Sequence, residues 1–153
     1  MNETNMLETA VSLREITHDN LRAILRLRVH KTQERFVADN ATSLAEAHFQ
    51  PKAWFRAIYA GETPVGFIML YDDPEEPVYF LWRLMIDEKH QGKGYARQAL
   101  DLLVAYVKTR PRATQLLVSY VPGIGSPYPF YRRYGFVYNG QKSGTEFEMT
   151  LPL

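Results

Sequence analysis

Val78-Tyr79-Phe80-Leu81-Trp82-Arg83-Leu84-Met85-Ile86, then Asp87-Glu88-Lys89-His90, then Gln91-Gly92-Lys93-Gly94-Tyr95-Ala96-Arg97, is the stretch that decides the fold. The first block is almost unbroken apolar sequence and fits a central strand buried on both faces. Two glycines separated by one residue then stand directly before a helical pattern. That pattern predicts a helix burying Tyr95, Ala99, Leu102, Leu103, Tyr106 and Val107, with Arg97, Gln98, Asp101 and Lys108 on the other face. Glycines that accept positive φ let successive backbone N–H groups converge, and the helix N-terminus adds unpaired donors and partial positive charge. Lys89, Lys93 and Arg97 bring full charges nearby. A diphosphate suits such a loop; a plain strand–helix turn that uses Gly for geometry is the other reading. The loop is not G-x-x-x-x-G-K-[ST], and a dinucleotide fingerprint fails because position 97 is Arg rather than Gly.

The rest of the chain sets bounds. Its 153 residues fit one domain with a full core, and 46% apolar and 13% aromatic residues mark it as globular. A net charge of +1 without a basic stripe argues against nucleic-acid binding as the main activity. The absence of cysteine excludes disulfides, Cys-zinc sites and Cys nucleophiles, and no metal site is expected. No apolar run is long enough to span a bilayer and no signal-peptide pattern opens the chain, so no membrane partner is expected and a cytoplasmic location is the default.

In order, residues 1–10 are expected to be flexible and 11–153 to form the single domain. Val11 to Ile16 reads as a strand, and Leu21 to about Val29 as a helix. Residues 31–40 are irregular; Ser43 with Glu46 reads as a capping box for a helix from Leu44 to about Gln50. Trp54–Ala60 and Val65–Tyr71 are strands of a hairpin, and Asp72-Asp73-Pro74-Glu75-Glu76-Pro77 is an acidic loop. Gln115–Val121 is a further strand and Tyr128–Tyr134 a short helix stopped at Gly135. Phe136–Tyr138 and Thr145–Leu151 are expected to pair across a loop at residues 139–144.

Gln91, Gly94 and Ala96 match Q/R-x-x-G-x-G/A, and Phe130-Tyr131-Arg132-Arg133-Tyr134-Gly135-Phe136 matches F-Y-x-x-x-G-F. With the order of elements, these motifs resemble the GNAT superfamily of N-acetyltransferases over nearly the whole chain. The resemblance implies an α/β GNAT fold, a mixed central β-sheet splayed at the cofactor site and flanked by helices. It implies acetyl-CoA as cosubstrate. Backbone groups of Leu84, Met85 and Ile86 would bond its pantetheine arm, and Gln91, Gly92, Lys93, Gly94, Tyr95, Ala96 and Arg97 would hold its diphosphate. Tyr131 would touch the cofactor and protonate the departing thiolate; taken alone, it reads as one aromatic of a packing helix. An Asn that many relatives use on the pantetheine is Ile124 here, with Ser126 or a backbone group left to substitute.

No acid lies on the Val78–Ile86 strand, so the base is sought in Glu34, in a relayed water or in the acidic loop. Tyr79 to Asp87, Gln33 to Val37 and Pro127 to Tyr131 resemble the bacterial spermine/spermidine (diamine) acetyltransferases. That likeness implies a small-molecule polyamine as acceptor and allows a homodimer. Glu34, Asp72, Asp73, Glu75 and Glu76 would then attract the polycation, against the plainer view of residues 72–76 as a solvated turn. Another amine (aminoglycoside, amino acid or peptide) and a non-catalytic acyl-CoA-binding module are the alternatives, and Tyr131 speaks against the second.

Overall fold

The computed structural model of the chain describes residues 10–153; the expected flexible N-terminus lies outside them except for its last residue. Seven strands form one mixed sheet: β1 (Val11–Arg14), β2 (Ala53–Ala60), β3 (Thr63–Asp73), β4 (Val78–Ile86), β5 (Gln115–Tyr120), β6 (Val137–Ser143) and β7 (Glu146–Pro152). Their spatial order is β1-β2-β3-β4-β5-β7-β6. Only the β4–β5 contact is parallel; the other neighbours are antiparallel. The helices are α1 (Leu21–Arg26), α2 (Asn40–Phe49), α3 (Tyr95–Lys108) and α4 (Tyr128–Tyr134).

Strand alternation sends neighbouring side chains to opposite faces, which gives the sheet two cores. Ala57, Tyr59, Phe67, Met69 and Met85 pack with Ile24 of α1 and Leu44 of α2. Ile58, Ile68, Leu70, Tyr79 and Leu81 pack with Leu100, Leu103 and Val107 of α3 and with Tyr131 of α4. Both faces of β2, β3 and β4 are therefore covered, which is why their sequences are continuous apolar runs rather than alternating ones.

Two irregularities of β4 position the site. Met69 pairs with Arg83 but Leu70 pairs with Leu81, so Trp82 is an extra residue in the strand. A bulge of this kind turns consecutive side chains toward one face. Trp82 packs on the α1/α2 side and Arg83 reaches Glu46 of α2. The parallel ladder with β5 consists of Phe80–Leu117 and Leu81–Val118 alone. Past the bulge the two strands part, and the edge of β4 from Trp82 to Ile86 lacks a ladder partner on that side.

Several boundaries differ from the sequence expectation. α2 begins at Asn40, not Leu44, because the Asp39 carboxylate accepts the Thr42 N–H at 2.7 Å and caps the helix earlier. Ser43 is then a fully buried helix residue and Glu46 is free to pair with Arg83. On α3, Leu102 is 40% exposed and Leu100 fully buried. At about 100° per residue the stripe Ala99, Leu100, Leu103, Val107 faces the sheet, leaving Leu102 on its flank. Asp72 and Asp73 complete β3 instead of opening a loop. The loop expected at residues 139–144 is mostly β6, which continues past an irregularity between Tyr138 and Lys142 to a turn at Gly144. Among the described residues no helix is long and apolar enough to cross a membrane.

Candidate active site

A cleft of about 1030 Å³ opens where β4 and β5 separate. Leu84, Met85 and Ile86 line one wall and Val118, Ser119 and Tyr120 the other. The unpaired edge of β4 offers backbone donors and acceptors in a row, a match for an extended chain carrying amides.

The loop before α3 closes one end. Gln91, Gly92, Gly94, Tyr95, Ala96 and Arg97 line the cleft, whereas Lys93 is exposed and does not. Gly92 and Gly94 have φ of 78° and 80°, and Gly94 is the N-cap of α3. An added Cβ at either would meet no atom within 4 Å, so the need for glycine here is conformational. The Gln91 amide donates to Ile86 O and to Gln33 Oε1, both at 2.9 Å. Gln91 thus fastens the loop to the end of β4 and to the segment before α2. Positive-φ glycines, an open helix N-terminus, Arg97 and Arg133 of α4 together fit the phosphates of a coenzyme A thioester.

Tyr131 enters the cleft from the α3/α4 face. It is 6% exposed and meets the rings of Phe130 and Phe136 edge-on at 5.6 and 5.5 Å. Burial pushes its phenol well above the ordinary tyrosine value, so it stays protonated at neutral pH. Its hydroxyl has no hydrogen-bond partner among the described residues. Tyr134 differs: its hydroxyl donates to Asp101 at 2.7 Å and ties α4 to α3. Ile124 is 89% exposed and outside the lining, while Ser126 is part of it and accepts the Tyr128 N–H at 3.3 Å. The loop carrying Ile124 rests on the segment before α2. A Cβ at Gly123 would crowd the Phe36 ring at 3.3 Å, and one at Gly125 would collide with the Thr32 carbonyl.

The acidic residues divide. Glu34 lines the cleft and also an adjoining cavity of about 340 Å³ that includes Arg28, Val37, Asp39 and Met85. It is exposed and forms no salt bridge with a described residue. Asp72, Asp73, Glu75 and Glu76 are at the other end of β4, and none lines the cleft. Asp72 accepts from Tyr106 Oη at 2.9 Å and Arg110 Nε at 3.0 Å. Asp73 accepts from Lys52 Nζ at 2.8 Å and from the N–H groups of Glu75 and Glu76. The Lys52 hydrogen bond holds its carboxyl below the usual aspartate range. Glu75 is 3.6 Å from the same lysine.

The cleft also gathers residues to which the sequence assigned no binding role. Arg83 lies in its wall, 3.0 Å from Glu46, with Nε buried and unpartnered. Arg35, Arg133, Ser119 and Glu146 line it too. Arg133 was legible, since it sits in the aromatic motif beside Tyr131. Glu146 was not, because only strand pairing carries it to the cleft.

A sheet that parts beside a glycine-nested helix N-terminus, with a buried phenol at the gap, fits the class of protein that holds an acyl-coenzyme A along the open strand edge and transfers its acyl group. The chain belongs to the acetyltransferase (GNAT) family, whose model matches residues 11–136, and it is an acetyl-CoA-dependent acetyltransferase. It is 28% identical over 142 residues to a spermine/spermidine N(1)-acetyltransferase of Bacillus subtilis, covering 86% of this chain and 91% of that protein. An acetyltransferase of Thermus thermophilus shares the fold with a TM-score of 0.75 at 22% identity, over 95% and 99% of the two chains. A spermidine N-acetyltransferase of Vibrio cholerae, solved with CoA and spermine, has a TM-score of 0.67 at 18% identity, over 93% and 95%.

Proposed function

We propose that this enzyme acetylates a primary amine of a polyamine such as spermine or spermidine, in the cytoplasm. The observation that carries this is Glu34, a carboxylate without a salt bridge to any described residue, shared by the cleft and the cavity beside it. A long cation can present one amine to the cleft and extend into that cavity. The likeness to the Bacillus enzyme over most of both chains supports the same acceptor class.

Acetyl-CoA supplies an activated acetyl thioester; the chain's residues orient and protonate. Leu84, Met85 and Ile86 hold the pantetheine arm through backbone groups, and the loop from Gln91 to Arg97 holds the diphosphate, with Lys93 acting only through its charge. An alkylammonium must lose a proton before it attacks, at roughly 4–5 kcal/mol near pH 7. Glu34 accepts that proton, directly or through water. Tyr131 gives the Oη proton to the sulfur as the C–S bond breaks, and regains one when the attacking nitrogen sheds its second proton to become the amide. Its raised pKa opposes the transfer, but a thiolate in the same apolar gap is also destabilised and binds a proton more strongly.

The test is thiol release from acetyl-CoA with a panel of amines, in which the chain contributes no thiol of its own because it has no cysteine. Spermidine or spermine should give the highest kcat/KM. Preference for an amino acid, an aminoglycoside or a peptide would refute the polyamine assignment.

A further inference from the structure

We infer that Glu146, at the start of β7, binds a second ammonium of the acceptor. This inference rests on the polyamine reading above. Phe147 stacks with Tyr120 and Met149 is buried beside Tyr131, so these β7 side chains face the α3/α4 core. Strand alternation therefore turns Glu146 to the other face, the face on which Trp82 packs and Arg83 reaches α2. Glu146 lines the cleft, is exposed, and forms no salt bridge with a described residue.

The remaining charges of the cleft support the assignment. Among the described residues Glu34 and Glu146 are the two carboxylates of its lining, and they come from separate elements, the segment before α2 and the start of β7. Arg97 and Arg133 belong to α3 and α4, on the phosphate side. On the acceptor side, Arg83 is matched by Glu46 at 3.0 Å. Arg35 lies over the Phe36 ring at 4.4 Å and against Gly123, at the loop contact. A monoamine needs one carboxylate; two unpaired ones from different elements fit an acceptor with a second positive charge along its chain. The specificity for multiply charged amines therefore depends on a residue of the closing hairpin as well as on the segment before α2.

The experiment compares the parent enzyme with Glu146→Gln and Glu146→Asp, using spermidine and a monoamine of similar length. Glu146→Gln keeps the size and strand pairing of an exposed residue, so its melting temperature should match the parent's. KM for spermidine should rise roughly three- to fivefold, the upper scale of an exposed charge pair. The value of kcat, KM for acetyl-CoA and both monoamine parameters should stay within about twofold, and Glu146→Asp should restore part of the spermidine effect. An unchanged spermidine KM in a polyamine-preferring parent would overturn the role of Glu146 alone. A parent that favours the monoamine would overturn the polyamine reading, and this inference with it.

Discussion

The two ends of β4 make opposite uses of conspicuous sequence. At its start, residues 72–76 concentrate acids, and the structure engages Asp72 with Tyr106 and Arg110 and Asp73 with Lys52. At its end, the loop from Gln91 to Ala96 carries no acid, and all of it but Lys93 lines the cleft. Acid in a sequence shows where charge exists, not whether partners distant in sequence have neutralised it. Paired glycines before a helix state a backbone conformation directly, because only residues tolerant of positive φ fit it.

The largest effect should come from removing one oxygen at the functional end. Tyr131→Phe keeps the edge-on ring contacts and should lower kcat by about 10²–10⁴-fold with near-normal acetyl-CoA affinity. In the parent, kcat/KM for the amine should climb from pH 6 to 9 as free amine accumulates, with no loss from Tyr131 ionisation, since burial places that step above this window. A parental rate in Tyr131→Phe, with chemistry limiting, would return the residue to packing alone.

Next comes Gly94→Val. A branched side chain at φ 80° opposes the αL conformation by about 1–2 kcal/mol, so acetyl-CoA should bind roughly tenfold more weakly by calorimetry. Unchanged affinity in a folded variant would remove the loop from the phosphate site.

The acidic end should answer in stability rather than kinetics. Asp72→Asn deprives Tyr106 and Arg110 of their charged acceptor and should destabilise the fold by about 1–2 kcal/mol, leaving KM for spermidine alone. A raised spermidine KM would break the contrast between the two ends. Smaller still is the effect of Asp73→Asn, and it depends on pH. The folded Asp73 pKa is depressed, chiefly by Lys52. Its contribution is therefore present above the unfolded value near 4 and disappears as pH falls through the lower folded value. The melting-temperature gap between parent and variant should close below that range; a gap that persisted would assign it to something other than ionisation.

Legibility followed the range of the interactions. β4, its loop and α3 are written locally, and so is the short helix with Tyr131. The start of α2 was misplaced because Asp39 and Ser43 are both competent caps, and only the burial of Ser43 decides between them. The neutralised acids at 72 and 73 depend on Arg110, Tyr106 and Lys52, which no local pattern connects to them. Glu146 reaches the cleft through the β5–β7 ladder, a long-range pairing that a hairpin signature does not announce. The bulge at Trp82 is equally silent, since apolar residues fill both faces of β4.

The loop at Gly123-Ile124-Gly125 lends itself to optical reporting. Its glycines lie against the Arg35–Phe36 side chains and the Thr32 carbonyl, yet Ile124 between them points almost wholly into solvent. Because the chain has no cysteine, Ile124→Cys would be its only thiol. A fluorophore attached there would ride on the loop that rests against the segment before α2, without entering the lining of the cleft. Its polarisation with and without acetyl-CoA would read whether binding alters the contact of that loop with Thr32, Arg35 and Phe36.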